Sequence, residues 1–334
     1  MTRVLISGTS GFVGHHLVSQ ILKRTDWEII AFDRLGSALS RRRFAELNLE
    51  SYSRVKLFKV DFGENISDST KNLVGNIDYL FHIGAETDTN KSIENPYPFI
   101  KSNIVGTYNF LELARKQSSL SYFIYVSTNE VFGYGQAGEK FDEWHKYNCL
   151  NPYSATKAAS EDLSLAFSST YQIPVMILRT MNLFGERQDS QKFIPRIVKS
   201  IINGDELPIY TNAVGEVGSR AYFHVDSFVS TLFYLLDIAK AKPTVDNVDW
   251  NRDKFNVAGA EPMSNLVLAQ KISEIMGKPL RHKLFDYYSN QPAHELHSAL
   301  DCSRLMKLEW SPVETFEKQL ENTVRWLVDN PTWL

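Results

Sequence analysis

Arg3-Val-Leu-Ile-Ser-Gly8-Thr-Ser-Gly11-Phe-Val-Gly14 is the stretch that decides the fold. A short apolar run enters a turn with glycines three residues apart. The turn then opens a helical pattern over Phe12–Arg24, with Val13, Leu17, Ile21 and Leu22 at helical spacing. Glycine allows a tight turn there and lets backbone N–H groups approach an anion at a helix N-terminus, where the dipole favours negative charge. Glycine turns between strand and helix are common. The second apolar run, Trp27–Phe32, ends on Asp33, and an acidic residue at that place completes a dinucleotide-binding fingerprint.

Working outward, Lys56–Val60, Tyr79–Ile83, Tyr122–Val126 and Pro174–Leu178 read as further strands with helical segments between them. That order implies βαβ units, hence an α/β fold with a Rossmann doubly wound parallel sheet. Past it come a helix over Gln191–Asn203, a loop holding Gly204, Pro208, Gly215 and Gly218, a buried helix over Val225–Ala239 and a strand over Lys254–Val257. Helices over Asn265–Met276 and Thr315–Asp329 close the chain. The expected division is a dinucleotide-binding domain over 1–180, with returning segments at about 222–258. A smaller, discontinuous substrate-binding domain takes 181–221 and 259–334, on the C-terminal side.

The chain has 334 residues, 43% of them apolar, so it can bury a large core. Its 36 basic and 39 acidic side chains give a formal charge of −3, which argues against nucleic acid or a membrane surface as partner. Arg41-Arg42-Arg43 is a local basic cluster and reads as a solvated face. Cys149 and Cys302 lack metal-ligand spacing, so no metal is expected, and two cysteines in so long a chain suit a reducing compartment. A strand begins near Val4, leaving no room for a cleavable leader, and no apolar run approaches ~18 residues. The expectation is a cytoplasmic protein without a membrane span.

At the cofactor end, Gly8, Gly11, Phe12, Val13 and Gly14 are expected around a pyrophosphate. Asp33 would accept from the adenosine ribose hydroxyls and repel a 2′-phosphate, which favours NAD over NADP. Arg34 beside it would serve a 2′-phosphate. Asp61 and Phe62 are expected to flank the adenine, and Ile83, Gly84 and Ala85 to let the dinucleotide lie across the sheet edge.

Tyr153 and Lys157 stand four residues apart in Asn151-Pro-Tyr-Ser-Ala-Thr-Lys, so a helix starting near Pro152 puts both on one face. An ammonium near a phenol favours the phenolate, and such a tyrosine can take a hydroxyl proton while hydride leaves the carbon. Such a pair alone is a common surface motif; Ser127-Thr128 upstream makes it a constellation.

With these motifs, the chain resembles the extended short-chain dehydrogenase/reductase family over nearly its whole length. It is most similar to the nucleotide-sugar 4,6-dehydratases of the dTDP-glucose type. The likeness rests on His82-Ile-Gly-Ala-Glu-Thr-Asp88, Ser102-Asn-Ile-Val-Gly-Thr-Tyr108, Ser127-Thr-Asn-Glu-Val-Phe-Gly133, Pro152-Tyr-Ser-Ala-Thr-Lys157, Lys192-Phe-Ile-Pro195, Leu207-Pro-Ile-Tyr210 and Trp310-Ser-Pro312 with Thr315-Phe-Glu317. It implies a nucleotide-diphosphate sugar as substrate, tightly held NAD, and a homodimer formed through the helices near 98–117 and 153–171. It also implies Asn103 at the cofactor, Thr128 at the sugar 4-hydroxyl beside Tyr153 and Glu130 as the base at C5. Thr87, Asn182, Lys192, Tyr210 and Arg220 are implied on the sugar nucleotide.

Three positions depart from the pattern. Asn129 stands where the dTDP-glucose enzymes carry an aspartate that acts as general acid, and an amide has no proton to transfer. Gln291 replaces an arginine that holds the diphosphate, and Asp88 replaces a histidine. A 4-epimerase and a UDP-glucuronate-type decarboxylase are therefore same-fold alternatives, and a non-catalytic dinucleotide-binding protein is the alternative of another class.

Overall fold

The computed structural model describes residues 1–242, 244, 248–259, 261–290 and 294–334; Gln291 lies outside these. The chain divides into two compact units. The first comprises Met1–Val131, Asn151–Arg179 and Leu232–Phe255; the second comprises Phe132–Leu150, Thr180–Thr231 and Asn256–Leu334.

The first unit opens with β1 (Arg3–Ser7), α1 (Phe12–Arg24), β2 (Glu28–Asp33), α2 (Ala38–Leu47), β3 (Val55–Lys59), α3 (Asp68–Val74) and β4 (Tyr79–His82). There follow α4 (Thr89–Glu94), α5 (Tyr97–Phe99), a π-helical turn over Ile100–Val105, α6 (Gly106–Arg115) and β5 (Tyr122–Thr128). After a segment of the second unit come α7 (Pro152–Tyr171) and β6 (Val175–Thr180).

The second unit holds β7 (Asn182–Phe184), α8 (Phe193–Asn203), β8 (Leu207–Thr211), β9 (Ser219–Arg220) and β10 (Tyr222–His224). The chain continues through α9 (Val225–Ala241), β11 (Arg252–Val257), β12 (Met263–Ser264), α10 (Asn265–Met276), β13 (His282–Asp286), β14 (His297–Ser298), α11 (Ser303–Met306) and α12 (Phe316–Asp329).

The seven-stranded sheet has the order β11-β6-β5-β4-β1-β2-β3, and β1 pairs in parallel with both β2 and β4. Sequence order therefore reverses at β1, which makes the carboxyl end of that strand the topological switch point where a ligand is received. Val4, Leu5, Ile6, Ile29 and Ile30 are wholly buried, as in a strand covered by helices on both faces. Leu80, Phe110, Phe123, Val175 and Ile177 continue the core.

In the second unit β7 pairs with β10, β8 with β13, and β9 lies between β12 and β14. The apolar faces of α8 (Ile197, Ile201), α10 (Leu268, Ile272) and α12 (Leu320, Val324) are buried, and the three helices pack together. Residues 132–150 belong to this unit, whereas the sequence reading places them with the first. Long-range pairing decides it: Gly135 bridges His297, Phe141 bridges Leu300, and Asn256 Nδ2 donates to the Phe141 carbonyl at 2.8 Å.

Within the first unit α7 is tied to β6 by a fully buried ion pair. Arg179 Nε donates to both Glu161 carboxylate oxygens at 3.0 Å, and a terminal guanidinium nitrogen donates to Oε2 at 2.6 Å. Removing one partner leaves a desolvated charge, so Arg179→Met should cost about 3–5 kcal/mol of stability in urea unfolding. The double variant Arg179→Met with Glu161→Leu should recover most of that loss.

Candidate catalytic and dinucleotide site

The turn after β1 is built by contact between backbones. Gly8 has φ +76°, and a Cβ there would lie 2.6 Å from the Gly84 Cα. A Cβ on Gly14 would sit 1.9 Å from the Gly8 carbonyl oxygen. Beside this cradle the hydroxyls of Thr9 and Ser10 are buried without a hydrogen-bond partner. A glycine cradle at the start of α1 with unsatisfied hydroxyls beside it fits a pyrophosphate. Phe12 and Val13 are half-buried in the first turn of α1.

Asp33 is buried at the end of β2 and accepts from the Ser10 and Leu35 amides, each at 2.7 Å. Those two bonds leave further acceptor sites on a carboxylate, as ribose recognition requires. Arg34 is ion-paired with Glu86, which raises its pKa. Its charge is thus answered by a carboxylate, which suits NAD better than a 2′-phosphate.

Ser7 Oγ accepts from the Ile83 and Gly84 amides, each at 3.1 Å, fixing the chain as it leaves β4 towards Ala85. The smallness of Gly84 has two causes, since a Cβ there would also strike the Phe62 ring at 2.2 Å. Phe62 accordingly has its ring in the core, edge-on to Phe110 at 5.4 Å. Asp61 remains exposed and accepts from the Gly63 amide at 3.0 Å.

Asn103 points inward from the π-helical turn, a feature frequent at functional sites. Its amide brackets Glu86, accepting from the Glu86 N–H at 2.8 Å and donating to the Glu86 carbonyl at 3.0 Å. It also donates to Thr156 Oγ1 at 2.9 Å. Asn103 therefore braces the loop after β4 against α7.

Asn151 caps α7 by accepting from the Ser154 amide at 2.8 Å, and Pro152 takes the first helical position, where its missing N–H costs nothing. Tyr153 and Lys157 follow on one face, both buried. Lys157 Nζ donates to the Val126 carbonyl at 2.7 Å and lies 4.2 Å from the Tyr125 ring centroid. Burial pushes Lys157 down to about 7, opposed by the charge of Glu161. Tyr153 is raised well above the usual phenol value, first by burial and then by the Glu130 charge, while a hydrogen bond with Thr128 opposes both. The sequence reading has Lys157 lowering the Tyr153 pKa directly. In the protein alone desolvation wins, and the ammonium is committed to the end of β5.

Thr128 closes β5, and Asn129 and Glu130 follow in a 3₁₀ turn. Asn129 is buried, and its Oδ1 accepts from Thr128 Oγ1 at 3.4 Å. Glu130 Oε2 accepts from Thr89 Oγ1 and from Asn151 Nδ2, each at 3.3 Å. Neither donor is singled out by the sequence reading. Asn151 carried a signal as a cap before proline; Thr89 carried none, because its partner lies 41 residues away.

Of the residues expected on the substrate, Thr87 is exposed after β4 in the first unit. The others lie in the second unit. The Arg220 guanidinium donates to the carbonyls of Ser219 and Leu296, each at 2.8 Å, and to that of Glu295. Asn182 is exposed on β7 and hydrogen-bonds Tyr222, whose hydroxyl donates to Asn265 at 2.9 Å. Tyr210 stacks on Tyr287 with centroids 4.3 Å apart, and Lys192 is exposed at the N-cap position of α8, its side chain making no capping bond. Among the described residues no cluster suits a metal ion, and no helix is long and apolar enough to cross a membrane.

The profile of the NAD dependent epimerase/dehydratase family matches residues 4–257. A dTDP-glucose 4,6-dehydratase of Haemophilus influenzae is 29% identical over 355 aligned positions, covering 99% of each chain. The crystal structure of a dTDP-glucose 4,6-dehydratase from Streptomyces venezuelae with NAD bound superposes with a TM-score of 0.84 at 24% identity, covering 99% of this chain and 98% of that one. A UDP-N-acetylglucosamine 4-epimerase from Methanobrevibacter ruminantium reaches 0.83 at 26%, covering 98% and 99%.

Because a methyl at residue 14 collides with backbone, Gly14→Ala should weaken NAD at least tenfold, about 1.4 kcal/mol. Calorimetric titration of the refolded variant with NAD checks this.

Proposed function

This chain belongs to the NAD-dependent epimerase/dehydratase family, and within it we propose that it is a nucleotide-sugar 4,6-dehydratase. NAD is its cofactor. The observation that supports the proposal is a second ionisable side chain near Tyr153: Glu130 accepts from Asn151, two residues before Tyr153, and its charge acts on the phenol. Oxidation at C4 and its reversal need Tyr153 alone; elimination across C5 and C6 needs a base for the C5 proton.

In this reading Tyr153, hydrogen-bonded to Thr128, takes the proton of the sugar 4-hydroxyl. Bound NAD supplies the hydride acceptor for C4, the donor that returns the hydride to C6, and a positive charge that favours the phenolate. The C4 ketone acidifies the C5–H. Glu130 removes that proton, the electron pair left on C5 forms the C5–C6 double bond, and the C6–O bond breaks. The departing hydroxide requires a proton that the Asn129 amide does not have. Glu130 therefore passes on the proton it has just taken, and water leaves. A solvent proton relayed through Glu130 completes C5 when C6 becomes a methyl, and Tyr153 releases to solvent the proton it took from the 4-hydroxyl.

Arg220, Lys192, Asn182, Tyr210 and Thr87 are proposed on the nucleotide diphosphate and sugar, and the domain roles follow: dinucleotide on the first unit, nucleotide sugar on the second. A second copy of the chain is proposed against the exposed apolar side chains Tyr97, Ile100, Val105, Tyr108 and Tyr171. Light scattering should then give about twice 38.2 kDa. A monomer mass removes that proposal.

The second reading is a 4-epimerase, favoured by the buried amide at Asn129. Incubation with a panel of nucleotide hexoses in deuterated water separates the two. A dehydratase yields a 4-keto-6-deoxy sugar with solvent deuterium at C5; inversion at C4 without loss of water rejects the proposal. In the same assay Asn129→Asp should accelerate water loss about tenfold or more by restoring an acid.

A further inference from the structure

Glu130 leaves the sheet on a short 3₁₀ turn, where a carboxylate on two methylenes has several rotamers open to it. A base must nevertheless meet its proton within a narrow geometry. The surroundings supply that constraint through two neutral donors on one oxygen. Asn151 directs its Oδ1 to the Ser154 amide at 2.8 Å as the cap of α7, so the other face of the amide is necessarily the N–H face. That face donates to Glu130 Oε2 at 3.3 Å.

The second donor, Thr89 Oγ1, also at 3.3 Å, stands at the start of the short helix α4. Its own carbonyl accepts from Ser92 Oγ at 2.7 Å, and the same Ser92 Oγ accepts from the Tyr153 amide at 3.1 Å. Ser92 is wholly buried and Asn151 nearly so. The bonds close a ring: Glu130 to Thr89, through Ser92 to the backbone of Tyr153, and back through Asn151 to Glu130. An ammonium or guanidinium in place of these donors would hold the carboxylate ionised and weaken it as a base. A hydroxyl and an amide set its direction without adding charge.

We propose that Thr89 and Asn151, with Ser92 as the link, are positioning residues that hold the Glu130 carboxylate in register with Tyr153, so that the two half-reactions share one frame. The inference rests on the dehydratase reading. Its test is a single turnover of NAD-loaded protein with a nucleotide hexose that the wild type dehydrates. The near-ultraviolet absorbance of the reduced cofactor reports oxidation, and mass spectrometry of deuterium at C5 reports elimination.

Thr89→Val should leave C4 oxidation close to wild type and slow elimination about tenfold to a hundredfold, so that reduced cofactor accumulates. Thr89→Ser should restore the second step. Asn151→Ser keeps a capping oxygen but loses the donor to Glu130, and should slow elimination in the same way with an unchanged unfolding midpoint. Thr89→Val turning over as wild type overturns the inference alone, as does equal slowing of both steps without rescue by serine. A wild type that makes no 4-keto-6-deoxy product overturns the dehydratase reading, and this inference with it.

Discussion

Helix α7 has to bury polar side chains, and much of the catalytic end follows from how it does so. Ten of its residues are buried, among them Ser154, Thr156, Lys157, Ser160, Glu161, Ser164 and Ser168. Each would oppose folding if left without a partner. Ser160 Oγ donates to the carbonyls of Asn103 and Thr156, each at 2.8 Å, and Ser164 Oγ donates to that of Ser160 at 2.8 Å. Glu161 takes Arg179, and Lys157 takes the Val126 carbonyl. These bonds reach β5, β6 and the π-helical turn, so the helix carrying Tyr153 is fixed from three sides by groups that cannot be satisfied anywhere else.

The same burial sets the electrostatics. It disfavours the charged forms of both Tyr153 and Lys157, pushing the phenol up and the ammonium down to about 7. The ammonium is populated below that value and lost as pH rises through it. Burial thus disfavours the phenolate, and positive charge beside Tyr153 would favour it. His82, buried and held well below the usual imidazole range, adds no charge of its own; it serves as a hydrogen-bonded link between Ser7 at 2.7 Å and Thr107 at 3.0 Å.

Local physics was legible in the sequence and long-range pairing was not. The glycines of β1–α1 announce a close backbone approach that any structure must honour, and the cap Asn151 before Pro152 starts α7 where that dipeptide requires. The β-branched runs locate the strands, although β5 extends two residues beyond Val126, to Thr128. Nothing local to Phe62 announces that its ring packs over Gly84, which leaves room for it only by lacking a side chain. Residues 132–150 carry nothing local that announces their bridges to His297 and Leu300. Of the candidate site, Tyr153, Lys157 and Glu130 come from motifs; the donors that orient Glu130 become visible only when α4 is laid against α7.

The proton inventory then narrows what this site can do. The first unit gathers a phenol, a carboxylate, a hydroxyl and an amide at the end of β5 and the start of α7, from Tyr153, Glu130, Thr128 and Asn129. The amide and the hydroxyl are poor proton carriers, which leaves the phenol and the carboxylate to exchange protons. In the dehydratase reading Tyr153 serves the 4-oxygen, and one carboxylate then both removes the C5 proton and delivers one to the departing oxygen. A group that serves two atoms in succession gains from an orientation that does not change between the two transfers. Two neutral donors anchored in buried secondary structure would give that constancy, which ties the amide at Asn129 to the donors at Thr89 and Asn151 in the dehydratase reading.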